Sequence, residues 1–167
     1  MRPIHAAILS CLLAAPAVAQ DVKHLGTFTD WNAFQQGAGR ARVCHMASQP
    51  KASEGNVPGR REAFVTVAHG PGPKNGVVSI VAGYAYRKDS TVKLDVDGKE
   101  FTLFTDQDRA WTYTDQDDRT LLEAMVKGRQ LIVQGTPARG ATTTDTYSLS
   151  GVSKALEAID AACQVKR

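Results

Sequence analysis

Beyond its N-terminus, this 167-residue chain has no stretch that stays apolar long enough to cross a bilayer, because charged or polar residues interrupt every run. Charge of one sign is lacking too. The 20 basic residues face 17 acidic ones, a balance that excludes the strongly basic surface of a nucleic-acid-binding protein. Cysteine is scarce, and no Cys-x-x-Cys pair or His-Glu-x-x-His run brings ligands to metal spacing. There is no Gly-x-Ser-x-Gly elbow and no phosphate-cradling glycine loop, which removes the commonest hydrolase and nucleotide readings. His24, His45 and His69 stand singly, so solvated or internally satisfied imidazoles are the expectation. No catalytic residue, metal or cofactor is expected.

What is present begins with Arg2, followed by an apolar run over 4–18 that ends in Ala17-Val18-Ala19. The run is too short to span a bilayer, and the small side chains at Ala17 and Ala19 suit signal peptidase. Residues 1–19 read as a secretory signal peptide, and the mature chain is expected to start at Gln20 and to form a single domain over 20–167. Cys11 does not make this a lipoprotein signal, since Leu9-Ser10 before it match poorly.

Loss of Cys11 with the signal leaves Cys44 and Cys163 in an oxidising compartment, where two thiols pair. On the chain-entropy model a bridge closing so long a loop stabilises by about 4–5 kcal/mol. The competing reading is a reactive Cys44 thiolate assisted by His45 or His69. It is disfavoured because such a thiol would oxidise quickly with Cys163 as partner.

Short alternating or β-branched runs separated by Gly, Pro, Asn and Asp dominate the remainder, which predicts an all-β domain. The clearest element is a hairpin of 91–96 and 99–105 around Asp97-Gly98, whose register sets Leu94 opposite Phe101 and Val92 opposite Leu103 on one apolar face. Further strands are expected over 27–34, 40–48, 62–69, 77–84, 110–113, 130–136 and 142–149, arranged as a sandwich rather than a meander. Two segments follow the helical period. One spans 115–127 with acids in its first turn and Gly128 as a stop. The other is a C-terminal helix after a Ser150 cap, carrying Val152, Leu156, Ile159 and Cys163 on its buried stripe.

Three features remain as candidates for function. The irregular stretch 49–61 carries Lys51, Arg60 and Arg61 and is the candidate partner-binding surface, against the plainer reading of a solvated connection. Thr-Asp-Gln-Asp occurs at 105–108 and again at 114–117, yet a turn and a helix start account for these acids without calcium. Trp31, Trp111, Tyr84, Tyr86 and Tyr147 make either an aromatic surface or, as large aromatics in β-domains usually do, part of the core.

Several segments stand out when taken in order: Cys44-His45-Met46-Ala47-Ser48-Gln49-Pro50-Lys51 with Ser53-Glu54-Gly55, then Val81-Ala82-Gly83-Tyr84, Phe101-Thr102-Leu103-Phe104, Ala110-Trp111, Arg139-Gly140, Thr144 to Leu149, and Cys163. Together they resemble the invasion-associated locus B family of bacterial envelope proteins. The resemblance covers nearly the whole mature chain. It implies an immunoglobulin-like β-sandwich, export to the periplasm or outer surface, and a part in host-cell entry in pathogenic relatives, with no catalytic residues to transfer. An exported, non-catalytic module binding a protein or other envelope partner is the leading expectation. A periplasmic small-ligand carrier or envelope-maintenance factor is the alternative, followed by an envelope enzyme.

Mass spectrometry of the exported protein should find Gln20 at its N-terminus and one Cys44–Cys163 link. Two alkylatable thiols in the native protein would refute the pairing.

Overall fold

A computed structural model describes residues 21–72 and 74–167; the expected signal peptide, its cleavage point and Cys11 lie outside them. Eleven strands and two α-helices make up the described chain: β1 (Val22–Phe28), β2 (Trp31–Gln36), β3 (Val43–Ser48), β4 (Ala52–Glu54), β5 (Phe64–His69), β6 (Asn75–Val81), β7 (Thr91–Val96), β8 (Lys99–Asp106), β9 (Arg109–Trp111), α1 (Asp115–Lys127), β10 (Gln130–Gly135), β11 (Thr143–Ser148) and α2 (Val152–Cys163). The fold is mostly β, as expected. Every strand pair is antiparallel, and hydrogen bonding runs unbroken in the order β1-β2-β3-β5-β6-β9-β8-β7-β10-β11-β4.

This long sheet curls so that its two ends meet. The Trp31 Nε1–H donates to the Ser148 carbonyl at 3.0 Å, and the Asp30 N–H donates to the Ser150 carbonyl at 3.3 Å, tying the β1–β2 end to β11 and the residues after it. One core results, in which Met46, Val65, Val67 and Ile80 of one half are buried with Val92, Leu94, Leu103 and Leu131 of the other. The two-layered arrangement is consistent with the expected immunoglobulin-like sandwich, although the layers are parts of one continuous ladder.

The β7–β8 hairpin has the expected register, Leu94 opposite Phe101 and Val92 opposite Leu103, with Asp97 and Gly98 at positive φ. Helix α1 matches its expected span, and Thr114 and Asp117 form a reciprocal capping box that explains the second Thr-Asp-Gln-Asp run. The first such run forms the turn between β8 and β9, with Gln107 at φ 53°.

The expected strand 40–48 starts only at Val43, after a 3-10 turn over Gly39–Ala41. The expected strand 77–84 runs over Asn75–Val81, since Gly83 at φ 76° breaks the extended chain. Three further differences have tertiary causes. The segment 27–34 is two strands, because Thr29-Asp30 makes a tight turn with Thr29 at φ 55°. No local glycine signals that turn; tertiary bonds hold it, from the Ser48 hydroxyl to the Asp30 carbonyl at 2.6 Å and from the Asp30 N–H to the Ser150 carbonyl at 3.3 Å. The stretch 49–61 is not wholly irregular, since β4 pairs with β11 at the sheet edge. Finally, α2 is capped by Gly151 rather than Ser150. Gly151 has φ 100° and packs against the Phe28 carbonyl so closely that a Cβ would collide with it.

Helix α2 lies on β1, β2, β3 and β5 and buries Val152, Ala155, Leu156 and Ile159. Cys163 in its last turn is bonded to Cys44 of β3, with Cα atoms 5.9 Å apart. One turn earlier, Asp160 meets His69 of β5. The His69 Nδ1 accepts the Gly76 N–H at 3.0 Å, so the proton resides on Nε2, which donates to Asp160 Oδ1 at 2.7 Å. Among the described residues no helix is long and apolar enough to cross a membrane.

Burial, only partly opposed by Asp160, holds the His69 imidazole below its ordinary value of 6.5. The unfolded chain therefore binds the proton more readily than the folded one. This stabilising contribution is full above pH 6.5 and is lost as pH falls from there toward the folded value. Thermal unfolding measured from pH 7.5 to 5 should show that loss, and His69→Gln should flatten it in part, with His45, shifted the same way by burial, supplying the rest. An unchanged slope in the variant would rule His69 out.

Candidate functional site

The three basic residues of the stretch 49–61 do not form one patch. Each goes to a different carboxylate. Lys51 Nζ meets Asp30 Oδ1 at 2.8 Å, and this bond, reinforced by the Ser148 hydroxyl, holds the Asp30 carboxyl below its ordinary value. Arg61 reaches Asp108 at 3.0 Å in the β8–β9 turn. Lys51 and Arg61 remain exposed, at 60% and 76%.

Arg60 departs from the expected surface role. Its side chain is 14% exposed, and its guanidinium makes a two-pronged contact with the Asp145 carboxylate at 3.0 and 2.5 Å. Nε donates to the Ala82 carbonyl at 2.9 Å, and the guanidinium carbon stands 5.1 Å from the Tyr84 ring centre. Burial works against the charge on Arg60, and the Asp145 hydrogen bond overrides it, holding the guanidinium above its ordinary value. The Tyr84 hydroxyl, pushed up by burial, shares a 2.6 Å hydrogen bond with Thr143. Gly83 has φ 76° and lies so close to the Arg61 carbonyl that no side chain fits there. Segments 81–84 and 144–149 thus meet at one internal polar cluster, which Arg60 plugs.

The nucleophile reading of Cys44 is overturned by its bond to Cys163. His69 is committed through both ring nitrogens, and His45 stacks on Phe34 at 5.2 Å between ring centres, with His24 on the other side of Phe34 at 5.1 Å. No Ser-x-x-Lys nucleophile was expected, yet the spacing occurs twice. At Ser48-Gln49-Pro50-Lys51 the Ser48 hydroxyl is buried on the Asp30 carbonyl and Lys51 is paired with Asp30, and at Ser90-Thr91-Val92-Lys93 the Ser90 hydroxyl has no bond to Lys93. No group of three or more metal-ligating side chains occurs among the described residues.

The aromatic set divides. Trp31, Tyr84, Tyr86 and Tyr147 are core, whereas Trp111 belongs to an outward cluster that sequence reading missed. Phe104 of β8 lies opposite Trp111 of β9, with ring centres 5.8 Å apart, and Phe104 lies 5.4 Å from Tyr113 just beyond the strand. Phe104 is 37% exposed and Tyr113 60%. The signal for Phe104 was in the hairpin register itself. If Leu103 faces inward, Phe104 must face outward beside Thr102 and Glu100, an apolar ring on a polar face.

The family model for the invasion associated locus B (IalB) proteins matches residues 31–160, from the first residue of β2 to near the end of α2. The chain belongs to the IalB family. Among solved structures, it is similar to invasion associated protein B from Bartonella henselae, with 18% identity, a TM-score of 0.58, and coverage of 83% of this chain and 97% of that one. That likeness shows a shared fold. No curated protein sequence matches the chain.

Removing one partner of a buried, hydrogen-bonded ion pair strands the other charge and costs about 3–5 kcal/mol. Arg60→Ala should lower stability by that amount in chemical denaturation, and Lys51→Ala or Arg61→Ala should stay within the scatter of surface substitutions. A small effect at Arg60 would show that the pair is not structural.

Proposed function

We propose that this IalB-family protein is an exported, non-catalytic interaction module of the bacterial envelope or surface, and that its contact face is the outward cluster of Phe104, Trp111 and Tyr113. Three adjoining rings on a sheet face, Phe104 and Tyr113 exposed and Trp111 half-buried beside them, carry this reading, since aromatic side chains concentrate binding energy when a partner desolvates them. Arg61 is held by Asp108 in the turn that leads into β9. Lys51 flanks the sheet end further away, and Arg60 serves the scaffold.

Family membership and the disulfide support export, and the name of the Bartonella structure supports a connection with invasion. The partner is a protein or another envelope component, bound without a nucleic acid or a cofactor. The groups best suited to chemistry, Cys44, His69 and Arg60, are engaged in holding the fold, which supports a module without a reaction centre.

Phe104→Ser combined with Tyr113→Ser should reduce retention on isolated envelope fractions at least tenfold and leave the melting temperature nearly unchanged. Retention equal to that of the unaltered protein would remove this face from consideration.

A further inference from the structure

Strand β9 pairs with β6 only from Ser79 to Val81, leaving the start of β6 without a strand on that side. Helix α1 takes over this edge: Asp118 Oδ1 accepts the Val78 N–H at 2.9 Å, while Leu121, Leu122 and Met125 turn into the core. Helix α1 and α2 make few contacts with each other. Between them, the start of β6 and the residues after α2 bound a crevice of about 550 Å³, within the size range of small-molecule sites.

Its wall is apolar, formed by Val77, Leu122, Val126, Leu156 and Val165. Val126 is 36% exposed, one of four large apolar side chains left open among the described residues. Lys74, Lys127 and Lys166 also line the crevice, and none has a carboxylate within ion-pair distance among the described residues. Acids line it too, but Asp118 is spent on β6 and Asp115 sits in the first turn of α1, where unpaired N–H groups favour it. Arg119 and Arg167 line it as well, Arg167 paired with Asp160, so the basic side chains outnumber the carboxylates of Asp115, Asp118 and Glu123.

We propose that this crevice binds a single-chain anionic amphiphile, a fatty carboxylate, with the acyl chain on the accessible Val77, Val126 and Val165 side chains and the carboxylate at the lysines. The pairing of an apolar wall with unneutralised cations selects this class. An uncharged chain leaves the lysines unused, and a small anion leaves the wall wet. This reading is independent of the aromatic contact face.

Titration calorimetry of the full chain with dodecanoate, kept below its micelle concentration, tests it. One saturable site is expected. Each buried methylene strengthens binding by about fourfold, so decanoate, shorter by two, should bind roughly fifteenfold more weakly than dodecanoate. Val126→Gln should weaken binding about tenfold, and Lys74→Glu with Lys166→Glu should do the same, at unchanged melting temperature. Absence of saturable binding, equal binding of dodecanol, binding of inorganic phosphate in place of dodecanoate, or indifference to both variants would overturn the proposal.

Discussion

The structure depends most on the tether between the first and last parts of the chain. Cys44 and Cys163 are 119 residues apart in sequence, and their bond holds the final turn of α2 against β3. The other end of the helix is pinned where Gly151 presses on the Phe28 carbonyl. With both ends held, the stripe of Val152, Ala155, Leu156 and Ile159 stays on the inward face of the early strands. His69 can then find Asp160 one turn before the bridge. Loop-closure entropy removed from the unfolded chain is large for so distant a pair. The helix thereby becomes a permanent lid on apolar surface that a sheet of this curvature exposes.

Elsewhere in the sandwich a second internal constraint operates. Arg60 leaves a surface stretch to enter the interior, and the Asp145 carboxylate, the Ala82 carbonyl and the Tyr84 ring receive it. A charge so placed adds little net stability when complete and is costly when halved, so either partner alone would be a burden to the fold. Chemically versatile side chains are therefore consumed by the scaffold. Accessible apolar surface lies instead on the outward face, where Phe104, Trp111 and Tyr113 adjoin, and in the crevice beside α1.

Local elements were largely legible from sequence where a local cause produced them. The Asp97-Gly98 hairpin, the capped α1 and the apolar stripe of α2 each follow from residues a few positions apart. The turn at Thr29-Asp30 was not, because Ser48 and Ser150 stabilise it from distant strands. Likewise Arg60 read as a surface cation beside Lys51 and Arg61. Nothing within the stretch 49–61 reveals that Asp145 waits inside the sandwich. The site was harder still, since an outward aromatic cluster needs the pairing of β8 with β9, and the crevice needs the point at which β9 ends.

Sequence by itself determined the β-rich class, the two helices, the Cys44–Cys163 pair and the family to which the chain belongs, because composition, periodicity and ordered motifs are properties of the linear chain. Only tertiary structure decided which charges are surface and which are scaffold, which aromatics face outward, and that two sheet halves form one ladder. Those outcomes rest on contacts between residues far apart in sequence, and burial is assigned by the neighbours the fold brings, not by the residue alone.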